Sequence, residues 1–293
     1  VTRADIPKAS RLIELLRAAV PGLCSVCLSV NSRRTNVILG TDIRVLWGKA
    51  AMEDTLCGLR FSVSPLSFFQ VNPRQTERLY GLALEYAGLT GAETVVDAYC
   101  GAGTISLLLA QKTKKVIGIE IVPEAIQNAN ENAARNGIAN AEFRVGATEE
   151  LLPKLVENGL RPDVIVLDPP RKGCDPAVLQ AIIAAAPKRV VYVSCGAPTL
   201  ARDAKLLAEG GYAAEKVQCV DMFCWTGAVE TVMSLVQQNP DDIVKVGIDA
   251  DELAVTKAES KATYGEIQAR VKEQTGLNVT PLYIAQGKRK HGI

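Results

Sequence analysis

The chain has 293 residues, 48% of them hydrophobic and 22% charged, which is enough for about two domains with buried cores. Its net charge of +1 excludes a general attraction to nucleic acid, so any RNA contact must come from local patches. No apolar run is long enough to span a membrane. The eight scattered cysteines and the lack of a secretory signal indicate reduced thiols and a cytoplasmic location.

The only histidine, His291, lies near the C-terminus. This excludes a Ser-His-Asp triad, a histidine general base and a His-rich metal site. A carboxylate, Lys, Tyr or water must therefore carry any acid–base chemistry. Cys24 and Cys27 form a C-x-x-C pair, but no second pair follows at a zinc-finger spacing, so we expect no metal.

Residues 1–72 predict a small α+β domain. Apolar residues at helical spacing predict a helix over 6–19, which Pro21-Gly22 ends. Short alternating runs then predict strands at 25–30, 35–39, 43–46 and 59–63. A further helix is predicted over 75–88.

From residue 93 onward, strands alternate with helices, which predicts an α/β fold with a mostly parallel sheet and helices on both faces. The predicted strands are 94–99, 115–120, 142–145, 164–167 and 189–193. The predicted helices are 104–111, 123–136, 149–158, 177–186 and 199–209. Two more strands, 214–220 and 230–235, bring the sheet to seven strands and complete a Rossmann-like domain over 73–238.

Residues 239–293 are polar and predict a small C-terminal α/β appendage with a basic end. A helix over 260–274 and a short strand from Leu282 are expected before Lys288-Arg-Lys-His. That basic end could contact phosphates or be a solvated tail, and the sequence leaves both readings open.

The segment Asp97-Ala-Tyr-Cys-Gly-Ala-Gly-Thr104 joins the first strand of the alternating region to its helix. Its glycines allow a tight turn and a close approach of ligand to backbone. Position 106 is Ser, so the full dinucleotide fingerprint is missing. With Glu120 ending the next strand, where it could accept from ribose hydroxyls, the loop resembles the S-adenosylmethionine loop of Rossmann-like methyltransferases. An ordinary strand–helix turn is the alternative.

The run Asp168-Pro-Pro-Arg171-Lys172-Gly ends the fourth strand and predicts a shaped pocket wall, because two prolines fix the backbone. Methyltransferases of exocyclic amines place an aromatic residue after Pro-Pro, whereas this chain has Arg171, which disfavours that subclass. Arg171 and Lys172 could hold phosphate or base carbonyls, or form a solvated basic turn.

Two further residues are candidates for covalent chemistry. Cys195 follows a buried strand at the carboxyl edge of the sheet, where ligands bind, and is our candidate nucleophile. A buried structural thiol is the alternative. Glu230 heads an apolar strand, and burial there would raise its pKa toward that of a useful general base. A solvated residue at a strand edge is the alternative.

Several motifs occur together and in a specific order, and they cover about residues 5–237. They are Phe68-Phe-Gln-Val-Asn-Pro73, the Asp97 loop, Asp168-Pro-Pro-Arg-Lys-Gly, Ser194-Cys195 before Pro198-Thr-Leu-Ala-Arg-Asp203, and Asp221-Met-Phe with Val229-Glu-Thr-Val. Together they resemble the RNA uracil-C5 methyltransferases, which make 5-methyluridine, and the bacterial 23S rRNA branch most closely.

The resemblance implies a Rossmann-like, S-adenosylmethionine-dependent methyltransferase. It implies Cys195 as nucleophile, Glu230 as base, and five residues around the cofactor: Gln70, Tyr99, Thr104, Glu120 and Asp168. The expected partner is RNA, above all 23S rRNA, with no membrane partner, no metal and a monomeric chain. In that reading, residues 1–72 are the remnant of a central α+β domain.

The chain departs from the family pattern at several positions. Gly196 replaces the usual Asn after Ser-Cys, Cys224-Trp225-Thr226 replaces Pro-His-Thr, Ala228 replaces His, and Ala147 stands where an adenosine contact is common. The branch also carries an N-terminal RNA-binding barrel and a four-Cys iron–sulfur motif, and neither is present in these residues. We expect truncation of a longer protein, with an intrinsically short relative as the alternative.

Three functions remain open from the sequence. The first is methylation of uridine in 23S rRNA, and the second is the same chemistry on transfer RNA. The third is a ribosomal RNA-binding factor that keeps the fold without turnover.

Overall fold

The computed structural model describes residues 1–2, 5–32, 39–40, 42–65 and 69–238, together with 269, 272 and 273. The chain divides into two compact units, Val1–Ile243 and Val244–Ile293, and the elements below belong to the first. The predicted strand at 35–39 and the predicted elements after residue 238, with His291, lie largely outside the described residues. The predicted domain boundaries at 72 and 238 stay predictions.

The N-terminal part contains helix α1 (Ala9–Ala19) and two antiparallel strand pairs. Strand β1 (Ser25–Val30) pairs with β2 (Asp42–Gly48), and β3 (Met52–Leu56) pairs with β4 (Leu59–Val63). Strand β3 was missed by sequence analysis. Its sequence, Met-Glu-Asp-Thr-Leu, buries only Leu56 and has no alternating apolar pattern, so pairing with β4 rather than its own composition makes it a strand.

Helix α2 (Pro73–Ala87) leads into the large sheet. Asn72 caps it by accepting a hydrogen bond from the Gln75 backbone N–H at 3.3 Å, and Pro73 occupies the first helical position. The capping signals start this helix two residues before the predicted start at residue 75.

The large sheet has seven strands. They are β5 (Thr94–Asp97), β6 (Lys115–Glu120), β7 (Ala141–Val145), β8 (Val164–Leu167), β9 (Arg189–Ser194), β10 (Tyr212–Val220) and β11 (Glu230–Gln237). Their spatial order is β10-β11-β9-β8-β5-β6-β7. Strands β5 to β9 are parallel, whereas β11 runs antiparallel to β9 and to β10. The predicted α/β fold with a mostly parallel seven-stranded sheet is confirmed.

Helices cover both faces of this sheet. The intervening helices are α3 (Thr104–Ala110), α4 (Pro123–Arg135), α5 (Thr148–Glu157), α6 (Pro176–Ala185) and α7 (Ala197–Glu209). Buried residues of α2, α3 and α4 form one core cluster with strands β3 and β4. Buried residues of α5, α6 and α7 form the cluster on the opposite face. The apolar runs of β8 and β9 are buried on both faces, which is why their sequences show no alternation.

The order of the strands fixes where a ligand can bind. Strand β5 has β6 on one side and β8 on the other, because the chain runs outward to β7 before it returns to β8. The loops after β5 and β8 therefore diverge at the carboxyl edge and leave a crevice between them. No helix within the described ranges is both long and apolar enough to cross a membrane.

Candidate active site

The turn between β5 and α3 forms the first wall of the crevice. Gly101 and Gly103 adopt φ values of +53° and +81°, which glycine enters without steric cost. A Cβ on Gly103 would lie 3.1 Å from atoms of two neighbouring side chains, so a larger residue would not fit without movement. The turn brings Tyr99 and Thr104 to the carboxyl edge of the sheet.

Glu120 ends β6 beside this turn, and backbone amides hold both of its carboxylate oxygens. The Gly101 N–H donates to Oε2 at 3.2 Å, and the Val122 N–H donates to Oε1 at 2.9 Å. Each carboxylate oxygen can accept a further hydrogen bond. The fixed carboxylate can therefore accept from two neighbouring hydroxyls of a ligand.

Two buried acceptors near this turn, Gln70 Oε1 and Asp97 Oδ1, have no hydrogen-bond partner among the described residues. The other Asp97 oxygen accepts from Ser106 Oγ at 2.6 Å. Burial raises the pKa of Asp97 to about 6. An unpaired buried acceptor costs about 1–3 kcal/mol, so these atoms fit a site in which a ligand supplies the missing donors.

Asp168 follows β8, and register places it beside the end of β9, since Leu167 pairs with Tyr192. Its side chain is half-buried, and the accessible part faces the pocket. Burial, together with the negative charges of Glu230 and Asp97, raises the pKa of Asp168 to about 8. A cationic ligand group would reverse that preference and stabilise the ionised carboxylate.

The turn after Asp168 is fixed from behind by helix α7. Asp203 is fully buried and accepts from the Cys174 backbone N–H at 2.8 Å and from Tyr192 Oη at 2.6 Å. Arg202 donates to the Lys172 carbonyl at 3.0 Å and to the Cys174 carbonyl at 3.2 Å. Gly173, at φ +78°, allows this close approach, because a Cβ there would lie 2.7 Å from Asp203 Oδ2.

Cys195 and Glu230 meet across two paired strands. Ser194 at the end of β9 pairs with Thr231 of β11, and these strands are antiparallel. Cys195 directly follows Ser194 and Glu230 directly precedes Thr231, so the two residues lie at the same end of this strand pair, and both line the same pocket. Thiol and carboxylate thus share one wall of the crevice.

Arg171 is the cation that acts on this pair. Burial and the negative charge of Glu230 raise the pKa of the Cys195 thiol, whereas the positive charge of Arg171 lowers it. Burial raises the pKa of Glu230, which is only 5% exposed, and Arg171 again opposes the shift. The predicted burial of Glu230 is therefore observed. A buried carboxylate of raised pKa is suited to accept a proton near neutral pH.

All seven candidate residues line one pocket of about 620 Å³. They are Gln70, Tyr99, Thr104, Glu120, Asp168, Cys195 and Glu230. Within the described ranges, no group of three or more His, Cys, Asp or Glu side chains is arranged to hold a metal ion. Cys24 and Cys27, like the other six cysteines, form no disulfide bond.

Sequence analysis missed Tyr80 and Phe223 as lining residues of this pocket. Tyr80 lies among the apolar positions of α2 and reads as core, but its phenol accepts from Thr104 Oγ1 at 3.4 Å. Phe223 lies in the irregular segment before β11, where no periodicity predicts its direction. Asp203, too, was noted only as part of a motif, because its contacts join segments that are distant in sequence.

The pocket fits S-adenosylmethionine by its chemistry. Carboxylates at Asp97, Asp168 and Glu120 suit a ligand that carries an ammonium group, a sulfonium group and a ribose. Ile121 lines the same pocket with 62% of its surface exposed, which offers an apolar face to a flat ring. The unpaired acceptors of Gln70 and Asp97 supply the remaining polar contacts.

Comparisons with known proteins agree with this chemistry. A methyltransferase domain family matches residues 89–209. An uncharacterised RNA methyltransferase of Clostridium acetobutylicum is 52% identical over 229 residues, which cover 78% of this chain and 50% of the relative. One of Oceanobacillus iheyensis, also an uncharacterised RNA methyltransferase, is 54% identical over 232 residues, or 79% of this chain and 50% of the relative.

A solved structure also resembles the chain. The tRNA (uracil-54, C5)-methyltransferase of Pyrococcus abyssi, in complex with S-adenosyl-L-homocysteine, matches with a TM-score of 0.62 and 32% identity. The match covers 72% of this chain and 50% of that one. The chain spans about half the length of the curated relatives it matches.

The fold and the pocket define a Rossmann-like methyltransferase that uses S-adenosylmethionine. Within that class, the chain is similar over 78–79% of its length to the two uncharacterised RNA methyltransferases named above. These similarities and the solved structure agree with the resemblance to RNA uracil-C5 methyltransferases that the motifs carry.

Proposed function

We propose that the protein methylates carbon 5 of a uridine in RNA through a covalent bond between Cys195 and the base. The observation that carries this proposal is that Cys195 and Glu230 lie at the same end of the paired strands β9 and β11 and line the candidate cofactor pocket together. Carbon 5 of uracil is a weak nucleophile, and covalent catalysis divides its methylation into easier steps.

Cys195 would act first. Its thiolate adds to carbon 6 of the uracil, and the electron pair of the 5,6 double bond moves to carbon 5 and the adjacent carbonyl oxygen. S-adenosylmethionine, when bound, would supply the methyl group that carbon 5 takes up; the sulfur–methyl bond breaks and S-adenosylhomocysteine is left. Glu230 then removes the remaining proton of carbon 5, the double bond re-forms, and the Cys195 sulfur leaves as thiolate.

The pocket demands a base that is not stacked in a helix. Cys195 lies at the end of a strand inside a crevice, so a uracil in a duplex would have to leave its stack to reach it. We therefore propose as substrate a single-stranded or flipped-out uridine. The motifs favour 23S rRNA, and a cytoplasmic location goes with that substrate.

Transfer RNA is the second candidate substrate. The specific observation in its favour is the 32% identity with the tRNA (uracil-54, C5)-methyltransferase of Pyrococcus abyssi. The chemistry at Cys195 and Glu230 would be the same for both RNAs.

The proposal is tested by methylation of 23S rRNA fragments and of tRNA transcripts, with nucleoside mass spectrometry to detect 5-methyluridine. Cys195→Ala should abolish the product, whereas Cys219→Ala, which removes an exposed thiol outside the pocket, should not. Glu230→Gln should accumulate a protein–RNA adduct that already carries the methyl group. Turnover by Cys195→Ala at the parent rate would refute the covalent route, and product on neither RNA would favour a binding factor without turnover.

A further inference from the structure

Trp225 is the most exposed large hydrophobic side chain in the described part of the protein. Its relative exposure is 104%, against 73% for Val71, the next in order. It lies in the loop between β10 and β11, and no aromatic or cation–π contact to it exists among the described residues. Folding therefore gains little from this indole.

The backbone at Trp225 is also unfavourable. Its φ is +70°, in the left-handed region that non-glycine residues rarely enter. The surrounding turn is closed by the Thr226 N–H, which donates to the Phe223 carbonyl at 3.1 Å. Glycine enters the left-handed region without steric cost, so a glycine at position 225 would relieve the strain. Strain of this kind at an exposed aromatic residue points to function.

The loop is anchored, so the indole has a defined place. Met222 is 1% exposed, and its carbonyl accepts from Asn72 Nδ2 at 3.3 Å. Phe223 lines the candidate active site, and so does Glu230, where the loop ends. Trp225 therefore lies in a loop whose two ends, Phe223 and Glu230, both line that site.

We propose that Trp225 is the stacking platform for an unpaired RNA base next to the target uridine. This proposal rests on the proposed function and adds a recognition residue to it. A base stacks on a flat aromatic face whatever its identity, and RNA-binding proteins hold unstacked bases in this way. The exposed cations Arg171 and Lys172 belong to the same pocket and suit the phosphates on either side of such a base.

The surroundings of Trp225 favour a base over a protein partner. Its exposed neighbours Cys224, Thr226 and Gly227 are small or polar, and Val229 is the other exposed large hydrophobic residue of this loop, so the exposed apolar surface of the loop is small. Protein interfaces require a much larger area of complementary surface. One isolated ring matches the size of one nucleobase.

Trp225 is also a departure from the motif pattern that the rest of the chain resembles. The motif resemblance places Pro-His-Thr where the sequence reads Cys224-Trp225-Thr226. Trp225 therefore adds to that pattern a surface that holds a base beside the uridine without selecting its identity.

Tryptophan fluorescence gives a direct test, because the chain has only two tryptophans. In a Trp47→Phe, Cys195→Ala background, Trp225 is the only tryptophan and no covalent adduct can form. The probe is a single-stranded RNA hexamer with one uridine flanked by adenosines. We expect this RNA to quench the fluorescence, and an abasic residue on one side of the uridine to remove the quenching.

Affinity is measured separately, by the anisotropy of the same RNA carrying a fluorescent label. Trp225→Ala and Trp225→Gly should weaken binding by about fivefold or more, whereas Trp225→Phe should keep most of it. Trp225→Gly also relieves the backbone strain, so its Tm should be no lower than that of the parent. The matched control is Trp47→Ala. Trp47 lies on β2, where its ring contacts the Arg17 guanidinium, and its loss should leave RNA affinity unchanged.

Three results would overturn the proposal. They are RNA that binds by anisotropy without quenching Trp225, equal affinity of the parent, Trp225→Ala and Trp225→Gly, and absence of any RNA binding. Failure of the proposed function has a different signature. The chain would then form no 5-methyluridine, even though Trp225 is quenched and its variants bind RNA more weakly.

Discussion

At the scale of single residues, ionised Asp168 lowers the stability of the ligand-free protein and provides a negative charge for a cationic ligand. Its pKa of about 8 in the folded protein lies far above the ordinary value of 3.8. Between those two values the folded state holds more protons than the unfolded state, so stability falls as the pH rises. Above pH 8 the Asp168 carboxylate is ionised beside Glu230 and Asp97, and the loss of folding stability reaches its full size.

We therefore expect Asp168→Asn to raise the Tm of the ligand-free protein at pH 8.5, by roughly 2–4 °C for each kcal/mol recovered. The gain should vanish near pH 4, where the native Asp168 is also neutral. The same substitution should abolish the stabilisation that S-adenosylhomocysteine gives the parent. Thermal melts at a series of pH values, with and without that ligand, measure all three effects.

Asp163→Asn is the matched control, with the opposite sign. The Thr94 backbone N–H, 3.0 Å from Asp163 Oδ2, and the Lys188 ammonium lower the pKa of that carboxyl. Its ionised form therefore adds stability, which is lost only as the pH falls through its depressed pKa. Asp163→Asn should lower the Tm at pH 8.5. A lower Tm for Asp168→Asn at that pH would contradict the account of Asp168.

At the scale of elements, helix α7 holds the loop that follows β8. Asp203 receives hydrogen bonds from Tyr192 on β9 and from the backbone of Cys174, and Arg202 holds two carbonyls of the same loop. That loop carries Arg171 to the Cys195 thiol. Asp203 is therefore a positioning residue for the cation that favours the thiolate.

Asp203→Asn should lower the free energy of unfolding by roughly 1–3 kcal/mol, because the amide nitrogen would face a donor where a carboxylate oxygen now accepts. At a temperature where the variant is still folded, it should also react more slowly with 5-fluorouridine RNA. The rate should recover at higher pH, as the thiol loses its proton. Glu209→Gln, which removes an exposed ion pair with Lys205 on the same helix, should change neither quantity. A slowed rate that does not recover at higher pH would show that Asp203 stabilises the fold but does not position Arg171 for the Cys195 thiol.

The elements of the large domain were predictable because periodicity and caps act locally. Strands β6 and β8 match their predicted bounds, since each is an apolar run between clear turn signals. The charged strand β3 and the role of Asp203 were not predictable, because each depends on partners far away in sequence. The same reason hid Tyr80 and Phe223 in the candidate site.

For the whole molecule, topology explains why residues spread from 70 to 230 converge. The parallel strands bring Tyr99, Glu120 and Asp168 to one edge, and the antiparallel β11 returns Glu230 to the same edge. Sequence analysis predicted the residues of this pocket from motifs. It could not give the placement of Cys195 and Glu230 at the same end of one strand pair, which depends on the register between β9 and β11.

The most direct measurement of the central claim is covalent capture by RNA in which 5-fluorouridine replaces uridine. Fluorine at carbon 5 leaves no proton for Glu230 to remove, so the methylated adduct should persist. We predict a protein–RNA species, stable in denaturant, that requires S-adenosylmethionine and maps by peptide mass spectrometry to Cys195. No adduct with rRNA or tRNA, or an adduct that survives in Cys195→Ala, would contradict the account.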